Sequence, residues 1–277
     1  MQVKLKQIAR IITFSRLLIK RTSYRCIIKD RLIETTVKTK LMKYNYFLIL
    51  ALPLLMVACK PKCIEDSGKH ITKDLSLKVF DEIKVSGPLK LIIRQDSSYT
   101  LQLSADSNLI DQIKTEVSGG EFKISLDPKV YCGTDSIVVR AGIGELKKLT
   151  ANKNSQIFGE GMIYVNELEI DLSDTTGVTL ALNAAVLKTS LNGKTQFNLS
   201  GQAGRHELES KGSLVLNAFD FIAGIYDLDI EGLGRSNINV LNELKVKTSG
   251  SSEIYYKGSP KNVNEKKNGI SKLEKVN

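Results

Sequence analysis

The sequence contains only two histidines and no tryptophan. A zinc site needs about three or four nitrogen, sulfur or oxygen ligands, and neither His70 nor His206 stands in such a spacing. No Gly-x-Ser-x-Gly elbow, phosphate-binding loop or dinucleotide fingerprint occurs either. We therefore expect no catalytic residue, no metal site and no cofactor, and we expect both histidines at the solvent-exposed surface.

The sequence also lacks an apolar run of about 20 residues, the length that a membrane-spanning helix needs. A shorter run, Phe47–Val57, follows Met42 and is followed by Ala58 and Cys59. This order predicts a secretory signal with a small-residue cleavage point, and its ending resembles a bacterial lipobox in which the cysteine is lipidated. Met56 stands where leucine is commoner. The alternative is a buried apolar segment with a chance cysteine.

The formal net charge of +10 is concentrated at one end of the chain. Residues 1–41 hold 11 Lys/Arg and 2 Asp/Glu, whereas residues 60–277 hold 28 of each sign. The neutral part has no basic field to attract nucleic acid. Because export signals begin a chain, we interpret residues 1–41 as a mis-annotated upstream extension; a basic amphipathic arm is the alternative.

The four cysteines have different expected roles. Cys26 lies upstream of the signal, and Cys59 is the predicted lipidation site. Cys63 and Cys132 remain, and an oxidising exported compartment would allow them to form a disulfide. The sequence leaves two independent thiols equally open.

Alternation of apolar and polar residues begins near residue 74 and predicts strands with one buried face. Turn residues such as Ser86-Gly87-Pro88 separate the strands. Residues 107–117 differ, because their apolar spacing predicts one or two helical turns capped by Asp106 or Ser107. The alternating apolar residues are Ile83, Val85, Leu89, Leu91, Ile93, Leu101, Leu103, Ala105, Phe122, Ile124, Leu126, Ile137 and Val139.

From Leu149 onward the chain repeats itself about every 20 residues. Leucines open short strands at Leu149, Leu168, Leu187, Leu208, Leu228 and Leu244. Repeats made of strand and turn predict a β-solenoid, in which each coil buries its inward residues against the next. An antiparallel β-sandwich is the alternative. The predicted inward residues are Leu168, Ile170, Leu172, Leu180, Leu182, Leu187, Phe197, Leu199, Leu214, Leu216, Leu228, Ile230, Ile238, Val240, Leu244, Val246 and Ile254.

Carboxylates that could act as an acid–base pair occur at Asp171 with Asp174, and at Asp227 with Asp229 and Glu231. Some β-solenoids are polysaccharide lyases or hydrolases that use such groups. Here the carboxylates alternate with apolar strand residues, so we expect them to point outward into water.

Two short stretches carry a resemblance to a known family. Residues 79–126 and the closing residues 248–261 resemble the "putative auto-transporter adhesin head, GIN domain" family, although Ser252 replaces a glycine of the closing motif. The resemblance implies an exported or lipid-anchored protein with a β-helical fold, typical of Bacteroidetes-like bacteria, and it supplies no catalytic residues. Its cues are Phe80, Ile83, Val85, Ser86 and Gly87, then Ala105, Asp106, Asn108 and Leu109, then the strand Phe122–Leu126.

The expected organisation is therefore an upstream extension (1–41), a lipoprotein signal peptide (42–58), a polar tether (59–74), a domain (75–260) and a polar tail or weak cap (261–277). The domain is expected to be all-β, with right-handed parallel β-helix or solenoid-like repeats after a strand-rich N-terminal part. The sequence itself leaves the handedness open.

The expected function is non-catalytic, adhesin-like binding of a glycan, a protein or an envelope partner. The protein would be anchored through Cys59 in the cell envelope, at the outer membrane, on its periplasmic or surface face. A β-helical carbohydrate-active enzyme and a periplasmic scaffold are the alternatives. The ligand and the oligomeric state stay open.

Overall fold

The computed structural model describes residues 63–127, 129 and 131–277. The predicted upstream extension, the signal peptide and Cys59 lie outside these residues. Within the described part the chain is all-β, and its one helical element is a 3-10 turn at Ile110–Gln112. In the same part, no helix has the length and apolar character needed to cross a membrane.

Among the described residues, ten strands form one mixed sheet. Their order across it is β1-β4-β7-β3-β9-β8-β2-β6-β5, and β10 pairs with β9. The strands are β1 (His70–Ser76), β2 (Glu82–Ser86), β3 (Lys90–Gln95), β4 (Thr100–Asp106), β5 (Lys114–Ser118), β6 (Glu121–Ser125), β7 (Val138–Ile143), β8 (Lys148–Asn152), β9 (Gln156–Lys257) and β10 (Asn262–Lys275).

Parallel pairing dominates the sheet away from its N-terminal strands. β2 pairs in parallel with β6 and β8, β3 with β7 and β9, and β9 with β8 and β10. Antiparallel pairs join β1 to β4, β4 to β7 and β5 to β6. The all-β prediction is confirmed. The antiparallel sandwich alternative is wrong, because a sandwich needs two packed sheets and the described strands form one.

The predicted inward residues from Leu168 to Ile254 are all buried. Side chains of a strand point alternately to opposite faces, so these residues line one continuous apolar interior. Burying each leucine or isoleucine contributes roughly 1.5–3 kcal/mol, which makes this row of contacts the main stabilising feature of β9.

A row of glycines sets the spacing of the repeats within and beyond β9. Gly212 has a φ of +124°, and a Cβ atom there would lie 2.4 Å from the carbonyl oxygen of Gly193. At Gly232 a Cβ atom would lie 2.5 Å from the carbonyl oxygen of Gly212. Only glycine fits where both the backbone angle and the neighbouring backbone exclude a side chain. Successive members contact each other along Asp174, Gly193, Gly212, Gly232, Gly250 and Gly269.

The glycine row shows which residues occupy equivalent positions in successive repeats, and two of them differ from those that the leucines suggest. Positions six residues before Asp174, Gly193 and Gly250 are the predicted markers Leu168, Leu187 and Leu244. Six residues before Gly212 and Gly232 stand His206 and Tyr226, two residues ahead of Leu208 and Leu228. The leucine intervals are irregular because these aromatic residues replace leucine in the interior row.

Two predicted boundaries change, and the C-terminal segment takes one of its two predicted forms. β1 begins at His70, inside the segment predicted as tether. The predicted helical turns at 107–117 shorten to the 3-10 turn at Ile110–Gln112, because residues 114–118 form β5 and pair antiparallel with β6. At the other end, β10 pairs along its whole length with β9, so residues 262–275 form a strand, as the weak-cap alternative for residues 261–277 expects, and not a frayed tail.

Candidate binding face

A row of polar side chains, 19–20 residues apart along β9, lies on the outward side of this strand. Asn198 donates an Nδ2 hydrogen bond to Thr179 Oγ1 at 3.0 Å, Asn217 donates to Asn198 Oδ1 at 2.8 Å, and Asn237 donates to Asn217 Oδ1 at 3.3 Å. We call Thr179, Asn198, Asn217 and Asn237 the amide row. Each amide is held by its neighbours, so the row presents fixed donors and acceptors to solvent.

Aromatic rings extend the amide row at both ends. Phe158 precedes it, because the backbone carbonyl of Ser155 accepts the N–H of Gly177 at 3.1 Å and this register places Phe158 beside Thr179. Tyr255 follows Asn237 in the next rung, where Arg235 lies 5.5 Å from the centre of its ring. The amide row together with Phe158 and Tyr255 is called the amide face below.

Cationic side chains lie over the rings of this face. Lys90 Nζ is 4.8 Å from the centre of the Phe158 ring, and Lys272 Nζ is 5.1 Å from that of Tyr255. Lys257 Nζ is 4.8 Å from the ring of Phe219, which lies two residues beyond Asn217 on the same side of the strand. Cation–π contacts are worth about 0.5–1 kcal/mol at exposed sites, so they hold rings and charges in place.

A groove of about 490 Å³ lies at the N-terminal end of the same outward side. Register pairs continue the row from Phe158 through Ile92, Arg140 and Gln102 to Asp74. Gln102 donates its Nε2 hydrogen bond to Asp74 Oδ1 at 3.1 Å. The groove is also lined by Arg94 and Glu160. It therefore combines guanidinium, amide and carboxylate groups in one shallow polar depression.

A different outward side carries ion pairs instead of amides. Lys148 Nζ lies 2.7 Å from Glu169 and 2.9 Å from Asp171, and these hydrogen bonds, to Glu169 first, raise the pKa of Lys148. Lys247 pairs with Asp229 at 2.7 Å, which raises the pKa of Lys247. The outward orientation expected for these carboxylates is confirmed, and their charges are balanced by lysines.

Asp174, Asp227 and Glu231 are the other predicted carboxylates. Asp174 has a φ of +60° in the glycine row and accepts the backbone N–H of Lys153. Asp227 and Glu231 flank Asp229, one on each side along the strand. In the part of the chain that the structure describes, no group of three or more His, Cys, Asp or Glu side chains could hold a metal ion.

The N-terminal segment is tied to the loop before β7. Cys63 and Cys132 form a disulfide, and Ile64 bridges to Tyr131. Asp66 accepts the hydroxyl of Tyr131 at 2.5 Å and the backbone N–H of Thr134 at 2.8 Å. The Tyr131 hydrogen bond is the largest cause that lowers the pKa of Asp66, while burial and this carboxylate raise the pKa of Tyr131 to about 12.

His206 lies in the interior, so the prediction that it is exposed is wrong. Its ring is fully buried, with Nε2 3.0 Å from Thr189 Oγ1 and its centroid 5.0 Å from that of Tyr226. Burial lowers the pKa of His206 to about 3, so the ring is neutral at physiological pH. His206 lies 19 residues after Leu187, at the same position of the repeat, and this spacing could have indicated burial. A histidine at that position gave no such indication.

His70 is exposed, as predicted, yet it has two polar partners that sequence reasoning missed. Nδ1 lies 2.7 Å from Asp135 Oδ2 and Nε2 lies 2.7 Å from Ser104 Oγ. Ser104 and Asp135 are 34 and 65 positions from His70 along the chain, and no local motif joins them.

Comparison with known proteins identifies one family. The family described as "Putative auto-transporter adhesin, head GIN domain" matches residues 79–260. Comparison with curated proteins finds no match.

Several solved structures share the fold. A "putative adhesin" from Bacteroides fragilis is 22% identical, with a TM-score of 0.71 over 77% of this chain and 100% of its own. A "putative lipid binding protein" from Parabacteroides distasonis is 22% identical, with a TM-score of 0.60 over 78% of this chain and 100% of its own. A "putative adhesin" from Parabacteroides merdae is 20% identical, with a TM-score of 0.57 over 78% and 100%.

Proposed function

The chain belongs to the auto-transporter adhesin head, GIN domain family, and from this premise we propose that it is an exported cell-envelope protein that binds glycans through the amide face. The observation that carries the proposal is the amide row. Its fixed amide and hydroxyl groups can exchange hydrogen bonds with sugar hydroxyls, and flanking rings can pack against the apolar faces of sugar rings. A protein ligand of similar polarity is the alternative that a binding screen must include.

The scaffold that we propose for this face is a right-handed parallel β-helix spanning most of residues 75–260. Parallel registers and the contacts between glycines 18–20 residues apart support it. In such a scaffold each rung supplies one outward side chain per row, so a linear ligand can make repeated contacts.

Binding is favoured over carbohydrate cleavage by the state of the outward carboxylates. An acid–base pair needs one carboxyl group available to accept or donate a proton. Asp171 and Asp229 are each engaged by a lysine. Replacement of Asp227 and Asp229 by asparagine is therefore expected to leave glycan chains uncut and glycan binding unchanged.

We further propose that residues 42–58 direct export, that residues 1–41 are not translated, and that a lipid on Cys59 anchors the protein. The apolar run and the lipobox-like ending support this organisation. Cys59→Ala should abolish lipid labelling and release the protein from the membrane fraction. Retention of Cys59→Ala in that fraction, or tryptic peptides from residues 1–41 in cells, would contradict it.

The glycan-binding proposal is tested on an array of bacterial capsular and host mucin-type glycans, with the full chain as the probe. We expect binding that weakens at least tenfold in Asn217→Ala and Tyr255→Ala, a loss of about 1.4 kcal/mol. Lys188→Ala is the matched control, because Lys188 pairs with Glu167 on the ion-pair side. Binding that survives both amide-face substitutions, or binding to no glycan, would contradict the proposal.

Protease treatment of intact cells separates the adhesin from a periplasmic scaffold. Release of peptides from residues 75–260, while a periplasmic marker stays intact, is expected for an adhesin. Full protection of these peptides would favour the scaffold.

A further inference from the structure

Ser104, His70 and Asp135 form a continuous chain of hydrogen bonds. Ser104 Oγ lies 2.7 Å from His70 Nε2, and His70 Nδ1 lies 2.7 Å from Asp135 Oδ2. The histidine and aspartate side chains are 43% and 36% exposed, so a solute can approach them. Nucleophile, base and orienting carboxylate are thus in the order that acyl transfer requires.

The carboxylate fixes the direction of the hydrogen bonds. A carboxylate oxygen accepts hydrogen bonds, so the His70 tautomer that fits Asp135 carries its proton on Nδ1 and leaves Nε2 to accept from the Ser104 hydroxyl. Thr72 Oγ1 lies 3.2 Å from Ser104 Oγ and can donate to it. Ser104 then keeps a hydrogen-bond donor when its own proton moves to His70.

The backbone around the three side chains is restrained. His70 lies on β1 and Ser104 on β4, and these strands pair with Thr72 opposite Ser104. Asp66 accepts the backbone N–H groups of Thr134 and Asp135, at 2.8 and 3.3 Å. The disulfide between Cys63 and Cys132 closes the same loop onto the N-terminal segment. The geometry therefore exists before any ligand binds, which lowers the entropic cost of reaction.

The polar groove adjoins this site. Gln102, a groove residue, lies two positions before Ser104 and on the same side of β4, with Arg140 opposite it on β7. Among the described residues no carboxylate lies within ion-pair distance of Arg140. A diagonal neighbour across a sheet is within reach of a long side chain, so this guanidinium can stabilise negative charge that develops near Ser104.

We propose that Ser104 and His70 are catalytic residues of an esterase site, that Asp135 positions His70, and that small carboxylic esters are the substrates. Ser104 Oγ bonds to the ester carbonyl carbon while its proton passes to His70 Nε2, and the carbonyl π electrons move to oxygen beside Arg140. When the carbonyl re-forms, the bond to the alcohol breaks and His70 returns the proton to the leaving alkoxide. Water then attacks the acyl-serine, gives a proton to His70, and releases the acid as Ser104 recovers that proton.

This activity goes beyond the proposed glycan binding and departs from the expectation of a non-catalytic protein. It does not depend on the amide face, because Asn217 and Tyr255 take no part in it. Variants at those two positions should bind glycans poorly and hydrolyse esters normally. The two proposals can therefore fail separately.

The experiment uses the full chain with a fluorophosphonate probe and, in parallel, p-nitrophenyl acetate. We expect the probe to label Ser104, with labelling absent in Ser104→Ala and about 100-fold slower in His70→Gln. Asp135→Asn should slow labelling and displace its pH–rate profile, which loss of a purely structural contact would not do. Ser190→Ala, at an exposed serine on β9, is the control and should label normally.

Three results would overturn the proposal. The probe could fail to label the wild-type chain, or it could label a serine other than Ser104. Ester hydrolysis could also persist in Ser104→Ala while it disappears in His70→Gln, which would show that the imidazole acts alone. Near-UV circular dichroism of each variant establishes that it is folded, and Ser104→Ala removes only one half-buried hydroxyl.

Discussion

His206 and Tyr226 occupy successive places in one interior row, with their ring centroids 5.0 Å apart. Both rings are fully buried in positions where neighbouring repeats have leucine. His206 Nδ1 and the Tyr226 hydroxyl have no hydrogen-bond partner among the described residues. A polar group buried without a partner costs about 1–3 kcal/mol, so this pair is a weak point of the interior.

This pair predicts a fall in stability at acid pH. Burial lowers the pKa of His206 to about 3, whereas the unfolded chain takes up this proton near pH 6.5. Between these values the unfolded state binds more protons, so this contribution to the free energy of unfolding decreases as pH falls, by at most about 1.4 kcal/mol per pH unit. His206→Leu should flatten denaturation curves over this range. Tyr226→Phe, the control, should leave the slope unchanged, and an equal slope in His206→Leu would contradict the assignment.

Two constraints exclude a side chain in the glycine row, a positive φ and close contact with a neighbouring carbonyl oxygen, and we expect that their costs can be measured separately. Gly212→Ala meets both a positive φ and the carbonyl oxygen of Gly193, whereas Gly161→Ala meets a φ of +84° and open space. We expect Gly161→Ala to cost about 1 kcal/mol and Gly212→Ala at least about twice that. Urea denaturation of the two variants measures the difference. Equal losses would mean that φ strain alone explains the row.

We expect β10 to prevent two copies of the protein from associating end to end. Glu265 and Lys267 on β10 pair with Val246 and Thr248, two buried residues of β9. Lys267 Nζ lies 2.9 Å from Glu265 Oε1, so these two side chains form an ion pair on the last strand that borders the interior. Inward-pointing charges at an exposed edge oppose pairing with another sheet. Glu265→Val with Lys267→Leu should therefore produce concentration-dependent dimers in sedimentation velocity.

The control for this experiment is Lys266→Leu, which adds an apolar side chain on the outward side of the same strand. It should stay in the same association state as the wild-type chain. Dimers of Lys266→Leu and not of the double variant would contradict the capping role of the ion pair.

The disulfide predicts that the N-terminal segment loses stability on reduction. Cys63 and Cys132 are 69 positions apart, and closing a loop of this length stabilises a fold by about 4 kcal/mol in the chain-entropy account. Cys63→Ala with Cys132→Ala should lower the midpoint of thermal unfolding. Alkylation of freshly isolated, unfolded protein tests the bond directly, because both cysteines should resist the reagent until a reductant is added.

Much of the fold follows from alternation alone. Residues such as Leu168, Ile170 and Leu172 could be placed inward because every second side chain of a strand faces the same side. The phase of the repeats could not be read from the leucines, since His206 and Tyr226 break their spacing. The glycines mark where each repeat begins more reliably, because close backbone contact between neighbouring repeats leaves no room for a side chain at their positions.

The candidate sites were harder to predict, for two different reasons. The amide row combines Asn198, Asn217 and Asn237. That these residues are neighbours can be predicted only when the length of each repeat is known. The contact between His70, Ser104 and Asp135 depends on an antiparallel pairing near the start of the described chain and on a loop closed by a disulfide. Such long-range pairings leave no periodic trace in the sequence.

The glycine row also bears on how the length of the protein can change. A segment that runs from one row glycine to the next carries one residue of the amide row, as Asn198 lies five positions after Gly193 and Asn217 five after Gly212. In the proposed β-helical scaffold, duplication of one such segment would lengthen the face by one strand spacing, about 4.8 Å, and add one amide to it. Under the proposed glycan binding, the number of sugar units that the face contacts would then grow by whole segments, without change to the neighbouring segments.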